Sequence, residues 1–193
     1  PAREHYLKSR LNLAARQLIL VSGEREACMR NPEHVQFMQL VETARSYCNL
    51  IDRVQGRNDG LVPLFQILPR LHADVVALHD REEGSFPPEL ADFDDRFDLF
   101  SQLRSWLGER DRYWLEFDQP AVSGGDDEQR TGSLADDLTD IYFELKRGLK
   151  LLDAAGPDEV AHLWGIGFKH HWGQHLVDAE RHLYALKIND QLM

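Results

Sequence analysis

Apolar residues recur at intervals of three and four along most of the chain, and no segment alternates as a half-buried strand would. Leu7, Leu11, Ala14, Leu18 and Val21 form a narrow seam, which predicts a peripheral N-terminal helix over residues 1–22 suited to helix–helix packing. Asn31-Pro32-Glu33 then supplies a cap, a proline for the first helical position and an acid for the first turn. The helix predicted from there buries Phe37, Val41, Ala44, Cys48 and Ile51 and closes at Gly56. A third runs from Asn58 or Asp59 to His79 with Leu64, Ile67, Leu68, Leu71, Val75 and Leu78 on its core face. Pro69 lies inside it, so a kink or break is expected there. Gly84 and Pro87-Pro88 mark a loop.

Phe93, Phe97, Phe100, Leu103 and Leu107 predict a shorter helix that ends at Gly108. The apolar block Tyr113–Phe117 reads as a packed loop or short helix, and residues 119–132 read as a mobile linker. Ser133 and Asp136 form a capping box for a helix that buries Leu134, Leu138, Ile141, Leu145 and Leu152. Gly156-Pro157 separates it from the last helix. The pattern predicts a single all-α domain over residues 1–193, a bundle of about six mostly antiparallel helices.

The last helix breaks the apolar rule. Its segment Trp164–His182 holds His170, His171, His175 and His182, four of the nine histidines. At about 100° per residue, Trp164, Phe168, His171, His175, Ala179, His182 and Leu186 share one face, with Asp178 at its edge. Imidazoles mixed into an apolar face either form a buried hydrogen-bonded network or present ligands. His171 and His175, four apart, can reach one metal ion, and Asp178 and His182 extend the same stripe. His72 and His79 are weaker candidates on the third helix, seven apart, either of which could supply a third histidine.

Asp137, Asp140 and Glu144 line one flank of the preceding helix. Antiparallel packing would turn them toward the imidazoles; the alternative is that they face water or pair with Lys146, Arg147 and Lys150. The stripe has no HExxH glutamate and no ExxH repeat. Gly165, Gly167 and Gly173 each cost about 1 kcal/mol relative to alanine in a helix. They are expected to permit close approach around the tryptophans, or Gly165 and Gly167 to mark an irregular first turn. The chain carries no Gly-rich phosphate loop, no GxSxG elbow and no Cys–His nucleophile pair.

Composition narrows the functional classes. Thirty-three acidic against 22 basic residues leave a net charge of −11, which disfavours nucleic acid as a partner. The charge is uneven, with six basic and three acidic residues in 1–30 and two basic and eight acidic in 80–98. That asymmetry suits docking of the N-terminal helix on acidic surface, in its own chain or a neighbour's. No apolar run approaches the ~20 residues of a membrane span, and no leader pattern opens the sequence. Cys28 and Cys48 offer neither a disulfide framework nor a CxxC spacing, so Cys48 reads as a buried thiol and a reducing cytoplasm as the compartment.

Three blocks carry a resemblance: VETARSYCNLID (41–52), LGERDRYWLEFDQP (107–120), and LADDLTDIYFELKRGL (134–149) followed by HWGQHLVDA (171–179). Together, with their DLxDIYxEL and HWGxHLxDA patterns, they resemble a bacterial family defined only as a domain of unknown function. The resemblance extends from about Val35 to the C-terminus and implies an all-α cytoplasmic protein without an assigned reaction. Asp137, Asp140, Tyr142, Trp164, His171, Trp172, Gly173 and His175 follow that family's pattern. HHWGQ (170–174) is also similar to the HHxGQ segment of DinB-like bundles, metal-binding four-helix proteins that include thiol-dependent transferases. That similarity implies a third histidine from an earlier helix, although Trp172 and the Tyr113-Trp114 block depart from it.

Two functional expectations follow. The leading one is an interaction or binding module with a polar cluster between its last two helices. Asp137, Asp140, Glu144, Tyr142, Trp164 and Trp172 would form the cluster with the histidines. Its partner would be another protein or a second copy met through the N-terminal seam. The other is a DinB-like hydrolase or thiol transferase dependent on a divalent metal (Zn, Ni, Mn or Fe), with His171, His175 and Asp178 or His72/His79 as ligands.

Overall fold

The computed structural model describes residues 32–54, 60–78, 93–114 and 131–193. Helix α1 spans Pro32–Ile51, α2 Val62–Val76 and α3 Phe93–Leu107, which continues into a 3-10 turn at Gly108–Arg110. Strands β1 (Arg112–Trp114) and β2 (Thr131–Ser133) pair antiparallel, with Tyr113 opposite Gly132. Helix α4 spans Leu134–Ala155 and α5 Pro157–Gly167. A π turn at Phe168–Trp172 joins α5 without a gap to α6, Gly173–Ile188. The described residues thus form five helical rods and one small hairpin, an all-α architecture. The N-terminal helix expected over 1–22, with its seam, lies outside them, as do Cys28, Gly56, His79 and residues 119–130.

Helix α4 is the centre of the bundle and packs against α1, α3, α5 and α6. Its apolar residues Leu134, Leu138, Ile141 and Leu145 are fully buried, and so are Leu40, Ala44, Leu68, Leu71, Leu103, Trp164, Trp172 and Leu176 from the surrounding helices. One continuous core results. Two polar side chains bridge it through backbone: the Tyr47 hydroxyl donates to the Leu138 carbonyl (2.8 Å) and the Trp164 indole N–H to the Glu144 carbonyl (3.2 Å). Cys48 is buried as expected, and that burial pushes its thiol up to about 12, so it is chemically quiet.

The start of α4 shows why the hairpin exists. Ser133 caps it as the sequence predicts, its hydroxyl oxygen accepting from the Asp136 N–H (3.3 Å). Asp111, just before β1, adds a second cap from a distance. Its side chain accepts from Ser133 Oγ and the Ala135 N–H, both at 2.8 Å, and its carbonyl accepts from the Leu134 N–H at 2.9 Å. Three donors at the helix N-terminus are satisfied by one buried aspartate.

Three expectations need correction. Tyr113 and Trp114 form a strand, because Asp111 anchors that segment beside Ser133 and Gly132 leaves room for the Tyr113 ring, which a Cβ there would overlap. Of the kink or break expected at Pro69, the break is absent: α2 runs on through this exposed proline. The irregularity among the glycines is the π turn in mid-rod, not the first turn of the last helix.

Gly148 and Gly165 provide a matched test. A Cβ on Gly148 would overlap the Trp164 ring, whereas one on Gly165 meets nothing within 4 Å. Gly148→Ala is expected to destabilise by about 1–3 kcal/mol through overpacking. Gly165→Ala should stabilise by about 0.5–1 kcal/mol through helix propensity. Denaturant unfolding of both variants checks the pair; a Gly148→Ala protein as stable as the parent would refute the packing account.

Candidate functional site

Helix α4 carries Asp137, Asp140 and Glu144 on the side that meets the π turn and α6. Asp137 and Glu144 are each only 4% exposed, so the water-facing alternative does not describe them. A buried carboxylate must find donors. Asp137 Oδ1 accepts from His175 Nδ1 at 2.9 Å, and Asp137 Oδ2 accepts from the Tyr113 hydroxyl at 2.5 Å. Glu144 Oε1 lies 3.3 Å from His171 Nδ1. Behind them, Glu144 Oε2 and Trp172 Nε1 are buried, and both face the open side of Gly167, where a Cβ would lie 3.3 and 3.0 Å from them.

Each imidazole therefore turns Nδ1 toward a buried carboxylate and leaves Nε2 pointing the other way. Both Nε2 atoms approach the same oxygen, Asp140 Oδ2, at 3.3 Å from His175 and 4.0 Å from His171. Ligand atoms of Asp140, His171 and His175 all lie within 4.8 Å of one another, so this cluster could hold a metal ion. The second oxygen of Asp140 is bonded by the Arg96 guanidinium from α3.

Electrostatics follow from this layout. The bond to Asp137 is the largest influence on His175 and raises its proton affinity above that of a free histidine, with Asp140 and Asp136 adding to it against the cost of burial. Burial pushes the Asp137 carboxyl up, while His175 and Tyr113 pull it back. Burial, reinforced by the bond to Asp137, raises the Tyr113 phenol strongly.

The other candidates from the sequence sit elsewhere. Asp178 lies 3.6 Å from Arg181 and stays outside the ligand cluster. His182 Nε2 donates to the Arg110 carbonyl (2.7 Å) and its ring stacks on Tyr113 at 4.7 Å, so it secures the hairpin. His72 pairs with Glu180 at 3.0 Å, leaving Asp140 in the place the DinB-like similarity gave to a third histidine. Tyr142 donates to Asp52, which also binds Lys146. Trp164 packs in the core, and Trp172 borders the site through Gly167. Arg96 and Tyr113 are the site neighbours that the sequence reading missed. Arg96 carried one signal, as one of two cations within an acidic stretch.

Fold and site together define a helical protein with a histidine–carboxylate cluster at the junction of its last rods. Residues 32–189 match the family model described as a domain of unknown function, DUF5063, and the chain belongs to that family. Among solved structures, the crystal structure of protein BF1032 from Bacteroides fragilis is similar at 21% identity and a TM-score of 0.62, covering 81% of this chain and 93% of that one. At that identity the likeness shows the fold alone. No curated protein matches the chain. Among the described residues, no helix is long and apolar enough to cross a membrane.

The raised proton affinity of His175 has a signed consequence for the metal-free protein. Its stabilising pairing with Asp137 is complete below the ordinary histidine range, about 6.5, and fades as pH rises through the higher folded-state value. The stability gap between the parent and His175→Gln, measured with chelator present, should be widest in mildly acidic solution and narrow as pH rises. NMR titration should find the His175 ring titrating above a free histidine, and Asp137→Asn should move it down. A ring that titrates normally and ignores Asp137→Asn would refute the assignment.

Proposed function

We propose that this protein is a helical binding module whose ligand is a divalent transition-metal ion, held by Asp140, His171 and His175. The observation that carries the reading is the shared orientation of the two imidazoles. Both back onto a buried carboxylate through Nδ1 and turn Nε2 toward Asp140 Oδ2. A carboxylate behind a ligating histidine fixes its tautomer and ring plane and makes the outer nitrogen a better donor. A purely structural histidine needs only one such partner.

Charge supports the same reading. Three converging carboxylates exceed the single Arg96 guanidinium by two negative charges when the imidazoles are neutral, which a divalent ion offsets. Two imidazole nitrogens and one carboxylate oxygen favour Zn, Ni, Mn or Fe over the all-oxygen sites of Mg and Ca. The His171 side chain is 39% exposed, so solvent can reach the cluster and supply a further ligand.

Elemental analysis of the purified protein, and calorimetric titration of metal-stripped protein with Zn²⁺, Ni²⁺, Mn²⁺ and Fe²⁺, test this. One ion per chain is expected, lost in a His171→Ala/His175→Ala variant that retains its helical circular dichroism. Asp137→Asn and Glu144→Gln, which touch no ion, should each weaken binding by about 10–100-fold. A protein that purifies without metal and takes up none of these ions would reduce the cluster to a structural network and overturn the proposal.

A further inference from the structure

At about 100° per residue, Phe93, Phe97 and Phe100 share one stripe of α3. Phe93 is 74% and Phe97 67% exposed, so no described element covers the outer part of that stripe. Arg104 closes its C-terminal end, with the guanidinium over the Phe100 ring and 3.8 Å from Asp111. All three carboxylates of α3, Asp94, Asp95 and Asp98, are exposed. Its two arginines are engaged, Arg96 by Asp140 and Arg104 by Asp111. Asp94 and Asp98 border the stripe, about 60° and 100° around the axis from Phe97. Helix α3 thus presents exposed rings edged by acids. The exposed residues Val177, Tyr184 and Ile188 of α6 differ, because Arg181 stands on the same stripe.

We propose that residues 1–22 of the same chain dock as a helix on this stripe of α3. Their seam of Leu7, Leu11, Ala14, Leu18 and Val21 is edged by cations, Lys8 on one side and Arg3 and Arg10 on the other. In total these residues carry Arg3, Lys8, Arg10 and Arg16 against Glu4. The other long segments outside the described residues have the wrong charge: 80–92 and 115–130 each hold five acids and one arginine. Both would be repelled by Asp94, Asp95 and Asp98, and Arg181 would repel a basic helix from α6. Area favours an occupant from the same chain. Three phenylalanine rings offer several hundred Å² at most, less than the roughly 800 Å² that a stable interface takes from each partner. A tethered segment needs less, because its link supplies a high effective concentration. That link is residues 23–31, nine residues that span up to about 30 Å. Helices α1 and α3 both pack on α4, and axes of contacting helices lie about 8–10 Å apart, so the two come within about 20 Å of each other. The segment precedes the domain matched over residues 32–189 and would close an apolar face that this domain leaves open.

Hydrogen exchange of the full chain, read by mass spectrometry, tests the docking. Amides of residues 7–21 should be protected in the parent, which an isolated helix of this length in water would not achieve. Phe93→Ser/Phe97→Ser should speed their exchange by about tenfold or more while the amides of α4 stay slow. Asp94→Lys/Asp98→Lys should do the same through charge reversal. If the serine variant loses the protection of α4, the lysine variant is judged by the same comparison. Protection in the parent should also be unchanged by about tenfold dilution, because the contact lies within one chain. Protection that falls on dilution would give the stripe to a second copy. Protection that survives in a variant with α4 intact would place the segment elsewhere, and unprotected amides in the parent would leave the stripe bare. Each of these three results overturns the proposal.

Discussion

Burial of carboxyl groups in an apolar helix interface is the constraint on which this structure turns. Asp137 and Glu144 are buried on the central helix, beside the fully buried Leu138, Ile141 and Leu145. Removing a carboxylate from water costs several kcal/mol unless donors replace the lost hydration. The partners come from different elements: Tyr113 from the hairpin and His175 from the start of α6 bond Asp137, and His171 in the π turn lies 3.3 Å from Glu144. Satisfying the acids therefore docks three pieces of chain against α4 at one place. The hairpin is secured again by Asp111 and by His182, so its Tyr113 hydroxyl is delivered with little freedom.

The π turn reconciles two demands on the last rod. In an uninterrupted α-helix the eight-residue separation of Trp164 and Trp172 would leave them about 80° apart around the axis. The wider π turn removes much of that offset, and both indoles are fully buried. His171, next to Trp172, is thereby placed beside Glu144 and Asp140. Gly173 makes the turn possible, since its N–H bonds the Phe168 carbonyl and a Cβ there would overlap that oxygen. Single π turns inside α-helices are often found at functional sites. Here the turn coincides with one of the two histidines of the cluster.

The family and the Bacteroides structure place the backbone, and the chemistry rests on particular side chains of this chain. Asp140 is the hinge of that chemistry. One of its oxygens belongs to Arg96 and the other to the space between two imidazoles.

Much was legible in the residues themselves. Three-and-four spacing located the helices among the described residues, Ser133 and Gly108 marked their boundaries, and Cys48, Leu138 and Leu145 read as core. The DLxDIYxEL spacing put Asp137, Asp140 and Glu144 on one flank, and the short Gly156-Pro157 link allowed that flank to meet the histidines, with water or nearby cations as the alternative. The partners were not legible. Asp178 shares the stripe with His175 yet turns to Arg181, while Asp140 on another helix completes the cluster. Arg96, Tyr113 and the π turn left no decisive pattern. Helical periodicity assigns each side chain to a face of its own helix, because that depends only on rotation per residue. Which faces meet, and at what height, depends on how whole helices pack and on where buried charge must be met, and only the tertiary structure decides it.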